Sequence, residues 1–149
     1  MTKQTILVLN GPNLNLLGQR EPGVYGAQTL ADVENLCRAA CERHGYTLDF
    51  RQSNHEGALI DALHAAGADQ AAGTLAGVVF NAGAYTHTSV ALHDAIKGAQ
   101  VKVIELHISN VHAREPFRHH SYLSPVSAGV LCGFGVHGYA MAIAALAAT

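Results

Sequence analysis

Five short runs of aliphatic and β-branched residues alternate with segments of helical periodicity, and this alternation constrains the fold more than any other feature. The predicted strands occupy residues 5–10, 46–53, 75–83, 101–109 and 130–135. The predicted helices occupy residues 29–45, 56–68, 88–99 and 137–147. Strands that alternate with helices pair in parallel, because each helix crosses one face of the sheet before the next strand begins.

The alternation and the length of 149 residues predict an α/β fold in a single domain spanning residues 1–149. For a chain of this size the expected architecture is a flavodoxin-like three-layer sandwich with a five-stranded parallel sheet. Charged residues make up only 13% of the chain, a small share for a free-standing globule. The low share indicates a sheet buried on both faces, or an outer surface that is partly buried in a homo-oligomer.

Polar clusters follow three of the predicted strands, at residues 10–20, 81–87 and 107–118. In open parallel sheets, ligands bind beyond the carboxyl ends of the strands. The clusters therefore predict a small-molecule site at that edge of the sheet.

Several partners are disfavoured by composition. A net charge of −2 gives no basic field for nucleic acid, and no apolar run has the length of a membrane span. Three cysteines without a secretory leader favour a reduced, cytoplasmic chain.

Familiar cofactor and metal motifs are absent or incomplete. The stretch GFGVHG at 133–138 matches a dinucleotide fingerprint, but the acidic residue expected about 20 positions later is missing, so its glycines are interpreted as close strand–helix packing. No His or Cys spacing is typical of a metal site, so none is expected. A phosphoacceptor domain would need acids where Asn10 and Asn81 stand, and a flavin site would need hydroxyls in NGPNLNLLG.

The polar residues favour general acid–base chemistry. Glu105 and His107 lie two apart on a strand and share a face, where a carboxylate can fix the tautomer of the imidazole. Asn13, Asn15 and Asn81 can donate hydrogen bonds to a developing oxyanion. Arg114 and Arg118 suggest an anionic substrate, with a solvated loop as the alternative. No lysine lies in the polar loops, which disfavours Schiff-base chemistry.

Three stretches resemble the signature motifs of type II 3-dehydroquinate dehydratases: LNGPNLNLLGQREPGVYG, NAGAYTHTSVALHDA and ELHISNVHAREPFRHHSYLSP. The resemblance covers nearly the whole chain. It implies a flavodoxin-like enzyme of the shikimate pathway, usually a dodecamer built from trimers. It also implies trans elimination of water from 3-dehydroquinate to 3-dehydroshikimate through an enolate, without a cofactor.

The resemblance implies a role for each matching residue. Tyr25 would be the base that removes the C2 proton, and Arg20 its activator on a mobile lid. His107 would protonate the departing C1 hydroxyl, oriented by Glu105, and Asn13 would hold a water against the enolate oxygen. The implied substrate contacts are Asn81, His87, Asp94, Ile108, Ser109 and Arg118, with Asp94 reaching the site of a neighbouring subunit.

Two alternatives remain open from the sequence. The same groups would serve another lyase or isomerase that acts on a cyclic hydroxy-ketone acid. A non-catalytic module that binds a nucleotide would share the fold, but it would need an acidic pair or a hydroxyl-rich loop after the first strand, and the sequence has neither.

Overall fold

The computed structural model describes residues 3–19, 23 and 26–149. The strands of its sheet are β1 (Thr5–Asn10), β2 (Thr47–Gln52), β3 (Leu75–Asn81), β4 (Val103–His107) and β5 (Gly129–Cys132). All neighbouring strands are parallel, in the order β2-β1-β3-β4-β5. The helices that flank the sheet are α1 (Leu30–His44), α2 (Glu56–Ala71), α3 (Val90–Ala99) and α4 (His137–Ala147).

The helices form a layer on each face of the sheet. Helices α1 and α4 contact each other on one face, and α2 and α3 contact each other on the opposite face. Side chains of β1 alternate between the two layers: Ile6 and Val8 join the core under α1 and α4, whereas Leu7 and Leu9 join the core under α2 and α3. The central strands are therefore buried on both faces, and the predicted flavodoxin-like sandwich is confirmed.

The ends of two helices follow the signals in the sequence. The Thr29 side chain accepts a hydrogen bond from the Asp32 amide, and the Asp32 carboxylate accepts one from the Thr29 amide, which completes a capping box for α1. Ser89 caps α3, because its side chain accepts a hydrogen bond from the Leu92 amide. Cys37 and Cys41 lie buried on the apolar stripe of α1, where burial raises the pKa of the Cys41 thiol to about 11, consistent with a packing role.

Two sequence predictions need correction. Residues 110–129, whose polar sequence predicts a long loop, contain short 3₁₀ helices at Val111–Ala113, Pro116–Arg118 and Ser124–Val126. Within GFGVHG, only Gly138 serves strand–helix packing, since a Cβ there would lie 2.8 Å from a Leu106 methyl group. Gly133 and Gly135 instead form the turn between β5 and α4 with φ values of 93° and 63°, which side chains disfavour.

Among the helices of the described residues, none combines the length and the apolar character that a bilayer crossing requires.

Candidate active site

A cavity of about 170 Å³ lies at the carboxyl ends of β1, β3 and β4. Strands β2 and β3 lie on opposite sides of β1, so the chain changes direction there and leaves a crevice above the sheet. The polar residues that line the cavity are Asn13, Asn81, His87, His107, Ser109, Arg114 and Arg118. The edge predicted from the polar clusters therefore carries the cavity.

A buried histidine–carboxylate pair stands at the end of β4. The Nε2 atom of His107 lies 2.6 Å from Oε2 of Glu105, and the two side chains are 6% and 2% exposed. Desolvation raises the pKa of Glu105, but hydrogen bonds from His107, Ser124 and Ser121 outweigh it and leave that pKa below its ordinary value. Because the carboxylate only accepts, Nε2 of His107 donates, and Nδ1 is the ring nitrogen left for a ligand.

The other carboxylate oxygen of Glu105 is bound by two hydroxyl groups. The Oγ atoms of Ser121 and Ser124 donate to Oε1 over 3.0 and 2.7 Å. Neither serine is among the residues predicted for the site. The only feature of the sequence that points to them is a pair of hydroxyl residues around the 3₁₀ turn Ser124–Val126. Serines are common in polar loops, so this feature does not identify a site.

His87 lies beside the pair with its own tautomer fixed. Its Nδ1 donates to the backbone carbonyl of His120 over 2.8 Å, so a neutral ring has its lone pair on Nε2. Its ring stacks on His107 with centroids 6.2 Å apart. Desolvation by burial lowers the pKa of His87, which keeps this imidazole neutral near pH 7.

The amide of Asn81 is held by a buried tyrosine that is not among the residues predicted for the site. Asn81 donates to the Tyr139 hydroxyl over 3.0 Å, and that hydroxyl donates to Oδ1 of Asn10 over 2.7 Å. The backbone amide of Gly83 donates to Oδ1 of Asn81. Tyr139 has no exposed surface, and burial raises its pKa, so it remains a neutral phenol that fixes the ends of β1 and β3.

Two guanidinium groups give the cavity a positive wall. Arg114 and Arg118 have side chains only 14% and 19% exposed. Arg118 is paired with Glu115 over 3.1 Å and lies over the Phe117 ring, and Arg114 donates to Oγ of Ser109. Partly buried arginines facing a cavity favour an anionic ligand.

The loop after β1 adopts a conformation that brings Asn13 to the cavity. Asn13 has a φ of 68°, and its backbone amide donates to Oδ1 of Asn54. Gly11 lets the loop approach β3, since a Cβ there would lie 2.5 Å from the carbonyl oxygen of Ala82. Asn15 does not line this cavity; its Oδ1 accepts from Gln52 instead.

The structure brings together most of the residues predicted for the site. Those that line the cavity are Asn13, Asn81, His87, His107, Ile108, Ser109 and Arg118, with Glu105 behind His107. Asp94 lies outside the lining of this chain's cavity; its carboxylate is 72% exposed and pairs with His93. Arg20 and Tyr25 lie outside the described residues.

Histidine and acidic side chains do not cluster as metal ligands in this part of the molecule. Across the described ranges, no three His, Cys, Asp or Glu residues are grouped so that they could hold a metal ion.

The geometry suits the transfer of a proton to or from a small anion. The cavity combines a histidine that is oriented by a carboxylate, neutral amide donors and two arginines. Fold and cavity together define a flavodoxin-like α/β protein with an acid–base site at the carboxyl edge of its sheet.

Comparison with known proteins identifies the family to which the chain belongs. The family model "Dehydroquinase class II" matches residues 4–147, and the chain belongs to that family. It is 73% identical to the 3-dehydroquinate dehydratase of Acidovorax sp. (strain JS42) over 147 residues, 99% of each protein.

Solved structures agree with this family. The type II dehydroquinase of Butyrivibrio crossotus DSM 2876 superimposes with a TM-score of 0.91 at 44% identity and covers 97% of both chains. The type II dehydroquinase of Propionibacterium acnes has the same TM-score at 37% identity, over 99% of this chain and 100% of that one.

Proposed function

We propose that this protein is a type II 3-dehydroquinate dehydratase, a hydro-lyase of the shikimate pathway of aromatic amino acid biosynthesis. It removes water from 3-dehydroquinate by trans elimination, through an enolate, and yields 3-dehydroshikimate. Family membership over nearly the whole chain supports this assignment. The single structural observation that carries it is the buried Glu105–His107 pair at a cavity walled by two arginines.

In this mechanism His107 is the general acid. Loss of the C1 hydroxyl group requires a proton, because hydroxide is a poor leaving group. A protonated His107 donates its Nδ1 proton to that oxygen. The Nε2 proton stays on the ring and is donated in a hydrogen bond to Glu105 over 2.6 Å. Water then leaves, and the carbon–carbon double bond forms as the enolate collapses.

The first half of the reaction needs a base and support for the enolate oxygen. We assign the base to Tyr25 and its activation to Arg20, from the motif GQREPGVYG; both lie outside the described residues. Asn13 lies at the cavity wall and holds the water that donates to the enolate oxygen.

Substrate contacts are assigned to residues of the same wall. The backbone amides of Ile108 and Ser109 bind the carboxylate, and Asn81, His87 and Arg118 bind the remaining oxygens. The fixed tautomer of His87 suits a hydroxyl donor, because its Nε2 lone pair can accept.

We further propose that residues 1–149 form one catalytic domain, that the enzyme is cytoplasmic, and that it works as a homododecamer. Asp94 supports the assembly proposal, since its carboxylate is exposed on α3 and lies away from this chain's own cavity. In the assembly Asp94 completes the site of a neighbouring subunit.

The purified protein is expected to form an enone from 3-dehydroquinate, measured by the rise in ultraviolet absorbance. Activity should persist without added cofactor. Quinate, which lacks the ketone that acidifies the C2 proton, is the matched control and should give no signal. Failure to convert 3-dehydroquinate, together with turnover of another cyclic hydroxy-ketone acid, would assign the site to a different lyase.

Light scattering is expected to show an assembly of twelve chains. Asp94→Asn keeps the size of the side chain and removes its charge, so kcat/KM should fall while the fold is retained. Asp61, an exposed acid on α2, provides the control variant Asp61→Asn, which should leave kcat/KM unchanged. A fully active monomer at the assay concentration would refute the trans role of Asp94.

A further inference from the structure

The acid–base pair continues beyond Glu105 into a cluster of serine hydroxyl groups. Oε2 of Glu105 accepts from His107, and Oε1 accepts from Ser121 and Ser124. The carboxylate is 2% exposed, so these donors replace the water that an exposed carboxylate would bind. We propose that Ser121 and Ser124 are positioning residues, whose hydroxyl groups hold Glu105 as a carboxylate in one orientation so that His107 presents only Nδ1 to the substrate.

The hydroxyl group of Ser121 is itself held in place by the backbone. Oγ of Ser121 accepts from the amides of Leu123 and Ser124, over 3.0 and 3.1 Å. With both lone pairs so engaged, the hydroxyl hydrogen of Ser121 is free to point at Glu105. The turn at residues 121–125 (SYLSP) thus fixes the direction in which the Ser121 hydroxyl donates. Through Glu105, this turn helps to orient the general acid His107.

The ionised state of Glu105 has a chemical consequence for His107. A protonated Glu105 could donate to Nε2, and the imidazole would then carry its proton on Nδ1 in the neutral form. A carboxylate admits only Nε2–H, so the proton that moves during the reaction is always the one on Nδ1. This inference rests on the proposed function, because it assigns the serines to the acid of that reaction.

Other charged and titratable groups surround Glu105, and a substitution that tests the serine hydroxyl groups must leave them unchanged. A second cavity, of about 320 Å³, borders the outer side of the pair. Its titratable lining residues besides Glu105 and His107 are His87, His112, Arg118, His119, His120 and Cys132. A substitution at Ser124 changes none of these groups, so a change in pH dependence reports the hydroxyl group.

Ser124 gives the cleaner test, since Ser121 also binds two backbone amides. Ser124→Ala should lower kcat about tenfold, the effect expected when an orienting hydrogen bond to a charged group is lost, with KM changed less than about threefold. Its acid limb of kcat should move to higher pH, because loss of a donor raises the pKa of Glu105. Ser124→Thr retains the hydroxyl group and should restore both quantities.

Ser127→Ala is the matched control. Ser127 follows the same 3₁₀ turn, and its hydroxyl donates to the Leu123 carbonyl over 2.8 Å rather than to Glu105. This variant should keep the kcat and pH profile of the parent. An Ser124→Ala variant with parental kcat, or one that loses the same factor at every pH, would overturn the proposal.

A measurement without substrate separates this inference from the proposed function. The pKa of Glu105 is lowered in the folded state, so its stabilising contribution is present above the unfolded pKa of about 4.3 and is lost as pH falls through the folded pKa. Ser124→Ala should therefore lower the thermal midpoint more at pH 7 than at a pH below the folded pKa of Glu105.

A pH-independent decrease in the midpoint would show a purely structural hydroxyl and overturn the proposal. If the parent protein fails to dehydrate 3-dehydroquinate, the proposed function fails, whereas the thermal comparison still decides whether Ser124 holds Glu105 ionised.

Discussion

Replacement of His107 by alanine is expected to lower kcat by about 10²–10⁴ while binding of substrate analogues persists. The side chain supplies the proton that lets the C1 hydroxyl group leave as water, and the neighbouring His87 cannot replace it directly. His87 stacks on His107, but its Nδ1 proton is committed to the His120 carbonyl and its lowered pKa keeps the ring neutral. Steady-state kinetics and calorimetric titration with an analogue measure the two effects.

The fold should survive this replacement. Glu105 loses one donor but keeps the hydroxyl groups of Ser121 and Ser124, so its charge is not left without hydrogen bonds. His64→Ala removes a histidine at an exposed position of α2, outside the lining of the cavity, and serves as the control. A His107→Ala variant with near-normal kcat and a native circular dichroism spectrum would remove His107 from the mechanism.

Replacement of Tyr25 by phenylalanine is expected to abolish nearly all turnover, a fall of at least about 10²–10⁴ in kcat. A free phenol has a pKa of about 10 and is a poor base at neutral pH, whereas a nearby guanidinium group favours the phenolate. Arg20, five positions earlier, stays protonated and can supply that charge. Arg20→Ala should therefore be severely impaired, with residual kcat that rises with pH as the phenol ionises unaided.

The control for Tyr25→Phe is Tyr46→Phe. Tyr46 is a partly buried ring at the amino end of β2, away from the carboxyl edge that carries the cavity. Both variants lose one hydroxyl group and keep the ring, so only a catalytic role distinguishes them. Substantial kcat in a well-folded Tyr25→Phe protein would mean that another group removes the C2 proton.

The sheet could be predicted from the sequence because strands buried on both faces appear as nearly continuous apolar runs. The predicted strand at residues 5–10, a run of mostly aliphatic residues, begins and ends at the same residues as β1. The predicted helix at residues 137–147 likewise has the bounds of α4, His137–Ala147. The cavity edge also followed, since the topology of parallel strands brings Asn13, Asn81 and His107 together.

The surroundings of the site could not be predicted in the same way. Ser121 and Ser124 lie in a polar stretch without periodicity, and their contact with Glu105 depends on how the turn folds back over β4. Tyr139 sits within the apolar run of α4, where an aromatic ring indicates only packing. Its hydroxyl partners come from strands far away in sequence, and no local pattern encodes such a contact.

The hydrogen bond from Tyr139 to Asn10 joins residues 129 positions apart, and this separation bears on when the site can form. At about 5–20 residues per second, synthesis of the intervening chain takes on the order of ten seconds. During that time β1 can pair with β2 and β3, but the buried amides of Asn10 and Asn81 lack the phenol that links them. The hydrogen bonds that link the ends of β1 and β3 beneath the cavity can therefore form only after α4 has been synthesised and has docked on the sheet.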